Sequence, residues 1–157
     1  MRKINIIDCT LRDGGYYNNW DFSNQLVNDY LKAISSSGIE YVELGFRSLE
    51  KKGFKGPNWY TTDSYISHLN VPKKIKLGVM VNVSEFTSEK KNLNKNLELL
   101  FKDKNKSKIS FVRIASHFKE FDIALQISKI LKRKGYFVGV NLMQISEQPE
   151  KNIIDVC

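Results

Sequence analysis

The feature that most constrains this chain is a regular alternation between short β-branched apolar runs and longer segments with helical spacing. Five runs of strand length begin about every 27 to 36 residues, at 4–7, 39–44, 75–81, 109–114 and 136–140. Between them apolar residues recur every three or four positions, which is typical of helices. Strands that alternate with helices in this way are parallel and are joined by right-handed crossovers. The sequence therefore predicts an α/β fold built on a parallel sheet.

End signals support the two strongest helical segments. Ser23 precedes an apolar stripe over residues 26–34 as a predicted N-cap, and Gly38 follows it where a left-handed residue closes a helix. Gly135 closes a second stripe, over residues 121–131, in the same way. Weaker patterns predict further helical segments at 61–69, 91–101 and 149–157.

Composition excludes several classes of protein. The chain has 25 basic and 17 acidic residues, but its lysines are dispersed among predicted connections and helix ends. It has no zinc-knuckle spacing and no aromatic RNA-binding strand, so we expect no nucleic acid partner, and a basic nucleic-acid-binding domain is the weakest alternative. No apolar run approaches the roughly 20 residues of a membrane span, so no membrane partner is expected. Cys9 and Cys157 form neither a metal-binding pair nor a disulfide framework, which favours a cytoplasmic protein.

The segment that carries chemistry is Asp8-Cys-Thr-Leu-Arg-Asp-Gly-Gly-Tyr16, at the end of the first predicted strand. Ligands of parallel α/β folds bind beyond the carboxyl ends of the strands, here called the mouth. The motif therefore brings two carboxylates and a guanidinium to the mouth, and its glycines allow backbone or ligand to approach closely. A purely structural interpretation stays open, in which Arg12 pairs with Asp8 while Gly14 and Gly15 form a turn.

These residues resemble the D-x-T-L-R-D-G motif of the metal-dependent aldolases, lyases and acyl synthases. That family includes 4-hydroxy-2-oxovalerate aldolase, hydroxymethylglutaryl-CoA lyase and pyruvate carboxyltransferase domains. Three later segments resemble the same family, namely 42–47, 111–115 and 140–143. The resemblance is greatest to the 4-hydroxy-2-oxovalerate aldolase-like branch, and it spans the whole chain but only the front of the family's catalytic domain.

The resemblance implies a (β/α)8 TIM barrel with a divalent cation at its mouth, of which this chain covers five strands and four complete helices. Such barrels need roughly 250 residues, so we expect residues 1–157 to be the N-terminal portion of a single barrel domain, truncated in helix five. Asp13 matches the family's aspartate metal ligand, with Mn²⁺ or Mg²⁺ expected ahead of Zn²⁺ or Co²⁺. The family's His-x-His ligands are missing, because His68 and His117 lie far apart in the sequence.

By the same resemblance, the reaction cleaves or forms a carbon–carbon bond through a pyruvate-like enolate, and the substrate is a small 2-oxo acid. Arg12 matches the arginine that stabilises the enolate. Tyr16 is a second catalytic candidate, although a phenol is a weak base at neutral pH. Gly15 and Tyr16 occupy the stretch where acyl-CoA enzymes of the family carry glutamine, which favours an aldolase.

Two stronger alternatives also remain open from the sequence. One is an acyl-CoA Claisen synthase or lyase of the same family. The other is a non-catalytic half-barrel that serves as an interaction module. The expected protein partners are a second copy of the chain or the missing C-terminal half of the barrel.

Polar residues near the predicted strand ends complete the candidate set. Glu43, Arg113 and Asn141 are the predicted substrate-binding residues. Arg113 interrupts an apolar strand, so it either pairs with Glu43 or meets an anionic substrate. Weaker candidates at the strand ends are Arg47, Asn82, Ser116, His117 and Gln144. Aromatic residues that either wall the site or cap the core are Trp20, Phe46, Trp59 and Tyr60.

Overall fold

The computed structural model describes residues 4–87 and 92–154, and in that part of the chain five parallel strands form one curled sheet. The strands cross the sheet in chain order, and all four pairings are parallel. Their bounds are Ile7–Asp8 for β1, Tyr41–Phe46 for β2, Lys76–Asn82 for β3, Ile109–His117 for β4 and Phe137–Met143 for β5. The predicted α/β fold is confirmed, and the curled sheet is consistent with part of a TIM barrel.

Helices follow every strand in the described part of the chain. Their bounds are Thr10–Asn18 for α1, Asn24–Ser36 for α2, Pro57–Tyr60 for α3, Asp63–Ser67 for α4, Ser84–Thr87 for α5, Leu93–Leu100 for α6, Phe121–Arg133 for α7 and Glu150–Ile154 for α8. The predicted end signals are confirmed: the Ser23 hydroxyl accepts a hydrogen bond from the backbone N–H of Leu26 at 3.2 Å. Gly38 and Gly135 have φ angles of 86° and 93°, the left-handed conformation in which glycine costs least.

The two faces of the sheet differ in chemistry because successive residues of a strand point to opposite sides. The outer face is apolar and is buried against the helices, with α2 contributing Val27 and Leu31 and α7 contributing Ile127 and Leu131. The strand residues in this core include Val42, Leu44, Val79, Val81, Val112 and Ile114. The inner, concave face carries polar residues, so the candidate functional side chains lie on that side of the sheet.

Two predicted boundaries are wrong, and the turn of the purely structural interpretation is absent. The strand predicted at 4–7 is reduced to β1, because residues 4–6 lie exposed and pair with none of the described strands. The helix predicted at 61–69 is replaced by α3 and α4, which are separated at Thr61, a residue with a φ of 34°. Gly14 and Gly15 lie inside α1 rather than in a turn. The first residue predicted for the 91–101 helix, and the last three of 149–157, lie outside the described residues.

Lysine clusters that are separate in the sequence gather at the amino-terminal end of the sheet. They flank the starts of β3, β4 and β5, and comprise Lys73, Lys74, Lys76, Lys102, Lys104, Lys106, Lys108, Lys132 and Lys134. Lys132 and Arg133 lie in the last turn of α7, where cations stabilise the partial negative charge of a helix end. In residues 4–87 and 92–154, no helix is both long enough and apolar enough to cross a membrane.

Asn58 joins the β2–α3 connection to the sheet through a side-chain hydrogen bond. It is fully buried, and its amide donates to the backbone carbonyl of Leu44 at 2.8 Å while its side-chain oxygen accepts from the Tyr65 hydroxyl at 2.8 Å. Burial raises the pKa of Tyr65 to about 12, although the hydrogen bond to Asn58 acts against it. This packing needs glycine at position 45, because a Cβ there would lie 1.9 Å from the Asn58 carbonyl oxygen.

We predict that Gly45→Ala destabilises the protein by about 1–3 kcal/mol, the usual cost of overpacking a close contact. The matched control is Gly14→Ala in α1, where the nearest atom to a new Cβ is 3.8 Å away. Alanine is the better helix former, so the control should be neutral or stabilising by up to about 1 kcal/mol. Urea unfolding measures both, and equal effects at the two positions would contradict the packing described.

Candidate functional site

The centre of the site is the carboxylate of Glu43, on the inner face of β2. This side chain is fully buried, and Arg12 Nε donates to Glu43 Oε1 at 2.8 Å. Arg113, on the inner face of β4, donates from Nη1 to both Glu43 oxygens, at 3.2 and 3.4 Å. One buried anion therefore holds two cations from distant parts of the chain, as charge pairing in a low-dielectric interior requires.

Arg12 is fixed at both its backbone and its side chain. Its carbonyl accepts a hydrogen bond from the Trp20 indole at 2.8 Å, and its Nη1 forms an ion pair with Asp13. Burial by itself would lower the pKa of Arg12, but the hydrogen bond to Glu43 and the charges of Glu43 and Asp13 outweigh it and raise the pKa. The guanidinium therefore stays charged at any working pH.

The Trp20 side chain packs against α1. It is buried, its ring lies edge-on to Tyr16 at 4.7 Å, and it packs against Trp59 at 4.5 Å. Gly15 makes this approach possible, because a Cβ at that position would lie 2.0 Å from the indole. With Phe46, Met80 and Ala115, the two tryptophans form a small core cluster. These aromatics thus cap the core, and through Trp20 they also position the helix that carries Arg12.

Arg113 has two further partners at the mouth. Its Nη1 lies 3.2 Å from Cys9 Sγ, and its Nη2 donates to Asn141 Oδ1, on β5, at 3.4 Å. Burial raises the pKa of the Cys9 thiol, the charge of Glu43 adds to this, and the two arginines oppose it. The predicted pairing of Arg113 with Glu43 is therefore confirmed. Because Arg113 also reaches the exposed Asn141 side chain, the other prediction, contact with an anionic substrate, stays open.

Asp13 and Tyr16 lie on the exposed face of α1, where they line an open cavity of about 650 Å³ with Cys9 and Thr10. The Asp13 side chain is 61% exposed and binds Arg12 through Oδ1. Its second oxygen has no partner among the described residues, so Asp13 suits a role as one ligand of a hard divalent cation. The described residues contain no group of three or more His, Cys, Asp or Glu side chains that could hold a metal ion.

Asp8 does not pair with Arg12, so the ion pair that the purely structural interpretation of the motif predicts is absent from the described residues. The Asp8 carboxylate accepts hydrogen bonds from the Tyr30 hydroxyl and from the backbone N–H of Thr10, the latter at 2.9 Å. Burial raises the pKa of Tyr30, and the hydrogen bond to Asp8 raises it further. Asp8 therefore ties the end of β1 to α2.

Arg47 is a structural residue and lies outside the site. It is almost fully buried and donates to the carbonyls of Thr61 and Leu100 and, at 2.7 Å, to Asp63 Oδ1. Burial by itself would raise the pKa of Asp63, but hydrogen bonds from Ser107 and Arg47 outweigh it and lower the pKa. This arginine therefore joins β2 to α4 and α6 on the helical side of the sheet.

The remaining weak candidates are spread over the mouth. Ser116 is fully buried and donates to the His117 carbonyl, and Asn82 is half-buried at the end of β3. His117 and Gln144 line a second cavity at the ends of β4 and β5. Sequence reasoning gave Cys9 no role, and it named Trp20 only as an aromatic that either walls the site or caps the core. Cys9 could have been found from its place within the motif, whereas no local pattern connects the Trp20 indole to the carbonyl of residue 12.

Comparison with known proteins finds similarity to an aldolase, a decarboxylase and the N-terminal domain of a further aldolase. No family model matches the chain. It is 29% identical over 157 residues to 4-hydroxy-2-oxovalerate aldolase of Carboxydothermus hydrogenoformans, covering 96% of this chain and 43% of that protein. It is 22% identical over 145 residues to oxaloacetate decarboxylase of Mycobacterium tuberculosis, covering 91% of this chain and 40% of that protein.

A solved structure gives a further match. The N-terminal domain of a protein assigned as an aldolase, from Bacteroides vulgatus, superposes with a TM-score of 0.75 at 33% identity, over 96% of this chain and 48% of that one. The chain spans less than half the length of each of these three relatives. Together the similarities support an aldolase- or lyase-type protein in general terms.

We predict that Glu43→Gln destabilises the protein by about 3 kcal/mol, because it leaves the charges of Arg12 and Arg113 without their buried counter-ion. The matched control is Glu50→Gln, since Glu50 is exposed on the connection after β2, and a change there should stay within about 0.5 kcal/mol. Chemical denaturation measures both. A Glu43→Gln protein as stable as the control would show that the ion cluster does not hold the mouth together.

Proposed function

We propose that this chain forms part of a metal-dependent aldolase or lyase that acts on a small 2-oxo acid through a pyruvate-like enolate. The observation that carries the proposal is that two arginines share the single buried carboxylate of Glu43. Arg12 has three side-chain partners, Glu43, Asp13 and Cys9, which leave part of its five N–H donors for a ligand. Arg113 Nε donates to no acceptor among the described residues. Unused guanidinium donors beside a cavity are suited to the oxygens of an anionic substrate.

Arg12 has the features that stabilisation of an enolate requires. Its charge is permanent, and its backbone and Nε are fixed by Trp20 and Glu43, so little reorganisation is needed as negative charge develops on the keto oxygen. Arg113 and Asn141 would then bind the substrate carboxylate, since they lie across the inner face on β4 and β5. Glu43 orients both arginines from behind and touches no solvent.

Asp13 is the residue we propose to hold the divalent cation, through the carboxylate oxygen that Arg12 leaves open. When bound, such an ion acts as a Lewis acid on a keto oxygen. Mn²⁺ or Mg²⁺ suits a carboxylate ligand, and added imidazole ligands would widen the choice to Zn²⁺ or Co²⁺. Tyr16 is 65% exposed on the same face of α1, and we propose it as the proton donor to the departing or incoming group.

The partner that completes this site is the remainder of a barrel. Phe137, on the inner face of β5, is 79% exposed, and Ile4 and Ile6 beside β1 are exposed as well. Pairing with further strands would bury these residues and extend the sheet at both edges. We therefore propose that residues 1–157 act as the N-terminal portion of one catalytic barrel, in the cytoplasm, rather than as an independent interaction module.

We predict that Arg12→Ala lowers the rate of hydrogen–deuterium exchange at the methyl group of pyruvate by about 10² to 10³-fold, the usual effect of removing a donor to a developing oxyanion. Proton NMR on the intact protein follows the exchange without needing the acceptor substrate. The control is Arg133→Ala, which removes an exposed arginine at the opposite end of the sheet. Full exchange by Arg12→Ala would refute the enolate role.

We predict that a chelator abolishes this exchange and that Mn²⁺ or Mg²⁺ restores it, with Zn²⁺ and Co²⁺ tested in parallel. Asp13→Asn should weaken binding of the restoring ion at least about tenfold, since even the loss of a residue behind a ligand costs that much. Asp21→Asn is the control, because Asp21 is exposed just beyond α1. Titration calorimetry with the metal alone measures affinity, and equal affinities in the two variants would remove Asp13 from the ligand set.

A further inference from the structure

A cavity of about 310 Å³ opens on the helical side of the sheet, between α4 and the end of α6. Its volume is close to the lower limit of small-molecule sites. It shares no lining residue with the cavity beside α1 or with the one at the ends of β4 and β5. The function proposed above gives this cavity no role.

The buried guanidinium of Arg47 lines this cavity and keeps unused hydrogen-bond donors. Its Nε donates to the carbonyl of Thr61 at 3.0 Å, and its Nη1 donates to the carbonyl of Leu100 at 2.7 Å. Its Nη2 donates to Asp63 Oδ1 at 2.7 Å. A guanidinium has five N–H donors, so two of them have no acceptor among the described residues. Because unpaired donors of a buried cation are unfavourable, the cavity favours a ligand that supplies acceptor oxygens.

The charged side chains that line the cavity leave one surplus positive charge. Arg47 and Asp63 form an ion pair, and Asp63 Oδ1 also accepts a hydrogen bond from the Ser107 hydroxyl at 2.6 Å. Lys102 is exposed at the rim and forms no ion pair with a carboxylate in the described part of the chain. One surplus charge suits a carboxylate, with its single negative charge, better than a phosphate monoester, which carries nearly two at pH 7.

Part of the cavity wall is apolar. It consists of the ring of Tyr60 and the side chains of Leu99 and Leu100. Leu99 is 71% exposed although it lies in the last turn of α6. An apolar group in the cavity would cover this leucine, and removing apolar surface from water is favourable. The lining therefore suits a ligand with a carboxylate at one end and an apolar group at the other.

We propose that this cavity binds a small monocarboxylate with an apolar ring or branched chain, its carboxylate at Arg47 and Lys102 and its apolar group against Tyr60 and Leu99. The cavity is separate from the mouth, because Arg47 contacts the helices whereas Glu43, on β2 as well, faces the arginine cluster. The inference does not rest on the proposed function, since it uses none of the residues to which that function assigns a role.

Titration calorimetry on the intact protein compares three probes: benzoate, acetate and benzyl alcohol. Benzoate carries both halves of the proposed ligand, whereas acetate lacks the ring and benzyl alcohol lacks the charge. We expect benzoate to bind at least about tenfold more tightly than either, because the buried ring and the charge-assisted hydrogen bonds each add affinity. An affinity for acetate or for benzyl alcohol equal to that for benzoate would contradict the proposed ligand class.

Variants locate the binding. Ser64→Phe introduces a ring into the cavity and should weaken benzoate binding at least about tenfold, since overpacking excludes the ligand. Ser67→Phe is the matched control, because Ser67 is exposed on the same helix and does not line the cavity. Lys102→Gln keeps the cavity open but removes the rim charge, and should weaken binding about two- to fivefold. Lys106→Gln, at an exposed lysine outside the cavity, should leave the affinity unchanged.

Methyl NMR of the unaltered protein, labelled at leucine, gives a readout that does not depend on any variant. The methyl resonances of Leu99 should shift when benzoate is added. Unchanged Leu99 resonances, or benzoate affinities that are equal in Ser64→Phe and Ser67→Phe, would overturn the inference and assign the binding to another surface such as the arginines of the mouth. No binding of benzoate to the unaltered protein would overturn it as well. Neither result bears on the proposed function, which the exchange of pyruvate methyl hydrogens tests separately.

Discussion

The buried carboxylate of Glu43 is the constraint on which the rest of the mouth depends. A fully buried anion is tolerated only when it is paired and hydrogen-bonded, and here both counter-ions are arginines, 31 and 70 residues away in sequence. Satisfying it requires that α1, β2 and β4 meet at one point, which the curl of the sheet permits. Since removal of the anion would leave two unpaired cations, the same interaction that stabilises the mouth also fixes the orientation of both guanidinium groups.

The need to pair the buried Glu43 carboxylate explains how α1 packs against the rest of the chain. Arg12 must face inward from α1, and the helix is held in that position by the Trp20 indole, which occupies the space left by Gly15. The chain then reverses through Asn19 and Trp20, both with φ near 58°, and the loop after β2 packs against this reversal through Gly56. Lys55 lies over the rings of both tryptophans, at 5.1 and 5.2 Å. The strained reversal is thus supported from several sides, as backbone strain near functional sites generally requires.

Much of the framework could be predicted from the sequence because it depends on local periodicity: β2 to β5, α2 and α7 have regular apolar spacing, and Ser23, Gly38 and Gly135 mark helix ends. The helix α1 could not, since it contains two glycines and buries only Leu11 and Gly15, so tertiary packing rather than propensity forms it. Chain order alone brings Arg12, Glu43 and Arg113 to the mouth. Their pairing depends on the curl of the sheet and on the register shift between Glu43 and Phe46, neither of which leaves a sequence pattern.

Asn141 lies on β5, so the stability of its contact in the site depends on whether a further strand pairs with β5. Asn141 is the partner of Arg113 Nη2, and in the described part of the chain it lies on an edge strand whose inner face is largely exposed. Edge strands open more readily than central ones, because half of their backbone groups lack a partner. Arg12 is held by α1 and Glu43, well inside the sheet, so its geometry does not depend on that edge. The half of the site that we propose for enolate stabilisation is therefore held in place by contacts within the described residues, whereas the half proposed to bind the substrate carboxylate lies on an edge strand and gains rigidity if β5 gains a neighbour.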